Sequence, residues 1–155
     1  MKNLKSIIII VIFVLIIGGI VYIVSPKRGY LGNLVLSGYK RSNLNAIRLS
    51  ISGQNPYKHK GYFTCKDKDK INNFLSYLDK VKVLECKENI LYPKSGDEYV
   101  VDISAEDDKE IVICASLDIY SEDLQFINVE DKYGVEKTYK ILNNKFDTKY
   151  IKELK

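Results

Sequence analysis

From residue 7 to residue 24 the chain reads IIIIVIFVLIIGGIVYIV, eighteen positions without a charge, fifteen of them Ile, Val, Leu or Phe. A helix over that stretch is about 27 Å long, close to the roughly 30 Å hydrocarbon core of a bilayer. The pattern therefore predicts a transmembrane helix over 7–24, after a short head, 1–6, that carries Lys2 and Lys5. The apolar run exceeds a signal-peptide core, no small-residue cleavage pair succeeds it, and Pro26 stands where cleavage would fall. The first cysteine is Cys65, so no lipidation site ends the run. An uncleaved, single-pass signal-anchor is the expectation. The flanks disagree on orientation. Lys27, Arg28, Lys40 and Arg41 lie beyond the run, against Lys2 and Lys5 before it, and a raw positive-inside count keeps the C-terminal part in the cytoplasm. A short Lys-bearing head before a long apolar run is the signal-anchor layout and places the C-terminal part outside, which is the expected orientation.

Beyond the anchor the periodicity changes. Residues 25–45 contain Pro26, Gly29, Gly32 and Gly38 and read as a juxtamembrane linker, with Leu34–Leu36 as a strand edge. Ala46–Ser52 alternates, with Ile47, Leu49 and Ile51 on one face, and Tyr62–Cys65 reads as a second short strand. In Asp67–Lys80 the positions Ile71, Phe74, Leu75 and Leu78 form one helical stripe, with Asp67 and Asp69 suited to the N-terminus. Val81–Leu84 begins a returning strand. Tyr99, Val101 and Ile103 alternate, residues 106–109 make a polar hairpin tip, and Ile111, Ile113, Ala115, Leu117 and Ile119 share a face on the way back. Leu124–Val129 and Val135–Leu142 are two more strands around a turn at Asp131–Gly134, and Asp147 caps a closing helix with Tyr150, Ile151 and Leu154 on one side. The expected fold class is α+β: a transmembrane helix, then one domain over 46–155 with a helix packed on an antiparallel sheet and a short C-terminal helix.

Charge adds an asymmetry that the pattern does not show. Residues 25–70 hold ten Lys+Arg against two Asp+Glu, and residues 71–155 hold twelve against eighteen. The basic part adjoins the anchor, which marks Lys27, Arg28, Lys40 and Arg41 as contacts for an anionic surface; a Lys-rich solvated linker is the plainer reading. The overall charge of +4 argues against a nucleic-acid binder.

Candidate chemistry is sparse. Tyr57, Lys58, His59, Lys60 and Tyr62 interleave basic and aromatic side chains, a composition that clamps an anionic or sugar-like ligand, or merely forms an exposed turn. Cys65 and Cys86 flank the predicted helix, and a disulfide between them would close a loop of about 20 residues, worth roughly 3 kcal/mol; free thiols are the alternative. Cys114 sits within an apolar strand as a core residue. The three cysteines form no C-x-x-C pair, and with a single His no metal site is expected. His59 and Cys65 lack a third member for nucleophilic catalysis. The acidic groups Glu106–Glu110 and Asp118–Asp123 lack the ligand alternation of a calcium loop. No catalytic residue and no cofactor is expected.

The segments DKDKINNFLSYLDKVKVLE, GDEYVVDIS and EKTYKILNNKFDTKYIKEL together resemble a family of small domains of unknown function. That family occurs in membrane-anchored proteins and lipoproteins of Gram-positive bacteria. The resemblance is one of layout over 46–155, and it implies a helix on an antiparallel sheet outside the membrane, with no catalytic residues. The expected function is a non-catalytic extracytoplasmic binding domain for an envelope protein or a cell-wall ligand. An accessory or immunity-type subunit of a membrane complex and a hydrolase with dispersed carboxylates are the alternatives.

Overall fold

The computed structural model describes residues 2–52, 59–86, 96–107 and 110–155. An apolar helix, α1 (Lys2–Val24), leads into a three-residue strand, β1 (Arg28–Tyr30), and a six-residue helix, α2 (Leu31–Leu36). After a 3₁₀ turn at Arg41–Asn43 come β2 (Leu44–Ser52), β3 (His59–Cys65) and α3 (Lys68–Leu78). The strands β4 (Lys82–Glu85), β5 (Glu98–Asp107), β6 (Glu110–Tyr120), β7 (Asp123–Asp131) and β8 (Glu136–Ile141) come next, and α4 (Lys149–Lys152) ends the chain. All eight strands form one antiparallel sheet in the order β1-β4-β8-β7-β6-β5-β2-β3.

The expected transmembrane helix is corrected: among the described residues no helix is long and apolar enough to cross a membrane. The fold is α+β, and the antiparallel sheet dominates it.

Local chemistry explains α3. Asp67 is its N-cap, its carboxylate accepting from the backbone N–H groups of Asp69 at 2.9 Å and Lys70 at 3.2 Å. The stripe Ile71, Phe74, Leu75 and Leu78 is buried against the sheet, and at about 1.5–3 kcal/mol per side chain it is the largest single helical contribution to the core. Sharing that core are Ile47 and Leu49 of β2, Val101 and Ile103 of β5, Leu117 and Ile119 of β6, Ile127 of β7 and Val83 of β4. The closing helix is fastened through Tyr77. Its ring stacks on Tyr150 at 4.1 Å and meets Phe146 edge-on at 5.2 Å, and its hydroxyl accepts from the Asp147 backbone N–H at 2.6 Å.

Two expectations are changed by packing. Residues 25–45 are not a free linker. Leu31 and Leu36 are buried in the core, the Leu31 N–H donates to Val81 O at 2.8 Å, and Leu34–Leu36 is helical rather than a strand edge. On β6 the common apolar face breaks at a bulge, where Ile103 pairs with Ala115 but Ser104 pairs with Ile113. The extra residue, Cys114, is buried, and Ile113 is left 42% exposed while Ala115, Leu117 and Ile119 stay buried.

Gly32 marks the closest approach between α2 and the end of α3. A Cβ there would lie 2.3 Å from Asp79 Oδ1 and 3.2 Å from the Asp79 backbone nitrogen, whereas one at Gly38 would meet nothing within 4 Å. Gly32→Ala is expected to destabilise the fold by about 1–3 kcal/mol in thermal or urea unfolding, and Gly38→Ala to leave the midpoint unchanged.

Candidate functional site

The first unusual surface is α1 itself. Each large apolar side chain from Ile7 to Val21 is at least 50% exposed, and Tyr22 is 84% exposed. A Cβ added at Gly18 or Gly19 would meet no atom within 4 Å, so no other described element approaches that side of the helix. Nor does any α1 residue belong to the core, which runs from Leu31 to Leu154. The apolar surface lies all round the helix rather than on one stripe.

The second lies where α1 meets the domain. Ser25 Oγ donates to Val21 O at 2.6 Å and closes the helix. Three residues later the chain is already a sheet edge. The Lys27 N–H donates to Glu85 Oε2 at 3.1 Å, the Glu85 N–H donates to Lys27 O at 2.8 Å, and Arg28 pairs with Leu84. A cavity of about 550 Å³ opens there, lined by Tyr22, Ser25, Pro26, Lys27, Arg28 and Leu34. A second one, of about 250 Å³, shares Lys27 and Leu34 and continues toward Val129, Asp131, Lys137 and Tyr139. The two make one groove from the helix end across α2 to β7 and β8.

Electrostatically the mouth of the groove is positive. The Glu85 carboxylate is engaged by the Lys27 backbone and by Lys137 Nζ at 3.1 Å, so it does not neutralise the Lys27 ammonium. Among the described residues neither the Lys27 nor the Arg28 side chain forms an ion pair, and both are exposed. Deeper in, burial pushes the Tyr139 phenol up to about 12, helped by the negative charges of Glu85 and Asp131.

The other candidates lie elsewhere on the molecule. Lys40 is exposed, while Arg41 forms an ion pair with Asp79 that fastens the 3₁₀ turn to the end of α3. Of the basic–aromatic segment, Tyr57 and Lys58 lie outside the described residues; His59 and Lys60 begin the edge strand β3, and Tyr62 on it is 63% exposed. Cys65, Cys86 and Cys114 are free thiols, so the Cys65–Cys86 bridge is not formed. The strand order explains this: β3 ends one edge of the sheet, and β4, which leads into Cys86, is last but one at the other. Burial raises the thiol pKa of both Cys86 and Cys114. Among the described residues no three His, Cys, Asp or Glu side chains could hold a metal ion.

The outer face of the sheet is polar and internally tied. Ser116 Oγ donates to Asp102 at 2.7 Å and Thr138 Oγ1 to Asn128 at 2.8 Å, while Glu98 accepts from Tyr120 at 2.5 Å and from Ser52 at 2.9 Å. Hydrogen bonds thus engage the Asp102 and Glu98 carboxylates.

Compared with known protein families, curated proteins and solved structures, the chain matches none.

Two measurements check this description. In the native protein a thiol reagent is expected to modify the partly exposed Cys86 first, slowly near neutral pH and faster as pH rises, with Cys65 and Cys114 reacting only on unfolding. Tyr139 keeps its proton in the folded state to about pH 12, whereas an unfolded tyrosine loses it near 10. Its contribution to stability is therefore complete below pH 10 and is lost between 10 and 12. Urea midpoints should fall over that range, and less steeply in Tyr139→Phe.

Proposed function

We propose that the protein is a membrane-associated, non-catalytic binding module. Helix α1 is held in lipid, and the sheet domain presents its outer face and the β3 edge to an envelope protein or a cell-surface ligand. The observation that carries this reading is the uncovered apolar surface of α1. Thirteen Ile, Val, Leu and Phe side chains between residues 7 and 21 are exposed, outside a core that is complete without them. Even at half the usual 1.5–3 kcal/mol per side chain, their burial is worth about 10 kcal/mol or more. That outweighs any single polar contact the domain makes. Lipid is favoured over a partner groove because the exposure runs round the whole circumference; a groove would need to cover only one stripe.

The domain's part as a binder is supported by the exposure of Tyr62 on the β3 edge.

The test is flotation with neutral phosphatidylcholine vesicles. The full chain is expected to rise with the vesicles in low and high salt alike. A chain beginning at Ser25 should stay behind, with an unfolding free energy within about 0.5 kcal/mol of the full chain's because α1 adds nothing to the core. A full chain that stays soluble and monomeric without lipid refutes the reading, and one that forms a stoichiometric complex with a helical partner replaces lipid by that partner.

A further inference from the structure

We propose that the cavity between the end of α1, β1 and α2 is a binding site for the phosphate headgroup of an anionic phospholipid, with Lys27 and Arg28 as its cationic ligands. The inference rests on the reading that α1 lies in lipid, and it adds which lipid the protein selects.

Three observations converge on this site. Its volume, about 550 Å³, is that of a small-molecule pocket rather than of a single ion. Its lining is divided: Lys27 and Arg28 supply charge, and Pro26, Leu34 and the Tyr22 ring supply apolar surface. Finally, it opens where the apolar surface of α1 ends, so acyl chains belonging to a phosphate held there lie beside Tyr22 and the turns preceding it.

The two cations are set for this role by the fold. The Lys27 backbone is fixed from both directions by Glu85, and β1 pairing fixes Arg28 opposite Leu84, so neither residue sits on a free linker. Lys137 takes the other Glu85 oxygen, which leaves the Lys27 ammonium and the Arg28 guanidinium for an external anion. A guanidinium beside an ammonium suits a phosphodiester: the planar fork takes two oxygens and the point charge takes what remains. Of the basic residues Lys27, Arg28, Lys40 and Arg41, the first two line the cavity and the last two do not; Arg41 is neutralised by Asp79. The shared chemistry, a phosphate monoanion, also occurs on soluble metabolites. The apolar wall and its continuity with α1 favour the lipid.

The experiment uses the full chain in neutral detergent micelles doped with either phosphatidylglycerol or phosphatidylcholine. Native mass spectrometry then counts retained lipids. Phosphatidylglycerol is expected to be retained preferentially. Each cation contributes about a five-fold preference, so Lys27→Gln with Arg28→Gln lowers retention roughly twenty-five-fold and leaves phosphatidylcholine unchanged. Lys40→Gln, an exposed cation outside the cavity, serves as control and should change nothing; circular dichroism verifies that all variants are folded. Equal retention of the two lipids by the wild-type chain overturns the site but leaves the lipid reading of α1 intact, provided the chain still floats with neutral vesicles. A Lys40→Gln loss equal to that of the double variant also overturns it, because the preference is then diffuse surface charge. Displacement by glycerophosphoglycerol or inorganic phosphate at the concentration of the lipid overturns the lipid assignment and gives the site to a soluble anion.

Discussion

A broad antiparallel sheet has to hide one face from water, and this chain has few helical residues with which to hide it. Among the described residues beyond α1, only α3 is long enough to lay a full stripe across the strands; α2 and α4 are single turns or little more. The rest of the architecture stems from that shortage. Leu31 and Leu36 are drawn into the core from what would otherwise be a connecting segment, and Phe146, Ile151 and Leu154 are drawn in from the C-terminus. Tyr77 holds the C-terminal pieces in place, because its ring and hydroxyl together engage Phe146, Tyr150 and Asp147. Gly32 is small for the same reason: α2 must approach the end of α3 closely enough to close the gap.

The face turned the other way obeys a different logic. Its side chains satisfy one another across the strands, with Ser116 on Asp102, Thr138 on Asn128, and Ser52 and Tyr120 on Glu98. Such cross-strand pairs hold register without burial. Positive charge that stays available lies instead near the end of α1, because Glu85, an acid that contacts this segment, is occupied by its backbone and by Lys137.

Much of this was legible in the sequence where a local rule operates. The stripe of α3, its Asp67 cap and the Asp131 turn arise from spacing and side-chain chemistry that a few residues contain. What was not legible depends on distant partners. Pro26, Gly29 and Gly32 give residues 25–45 the composition of a linker, and only Val81 and Glu85, some fifty residues or more further along, turn part of it into a strand. The bulge at Cys114 changes which face Ile113 occupies, and nothing in an alternating run reveals where an extra residue will be inserted. Composition showed Lys27, Arg28, Lys40 and Arg41 as equivalent cations. Asp79, which removes Arg41 from the set, comes from the end of α3, and the cavity that singles out Lys27 and Arg28 exists only after α2 has packed.

The shortness of the connection between α1 and β1 has a mechanical consequence. Ser25, Pro26 and Lys27 alone separate the helix from the sheet edge, a span of about 10 Å even when fully extended. A tether that short, stiffened by proline, gives the domain almost no volume to explore. Wherever α1 is lodged, the β1 edge stays beside it, and the opposite edge, β3, is held the full width of the sheet away. Tyr62, on that far edge, is then kept from α1 by a distance that the width of the sheet sets.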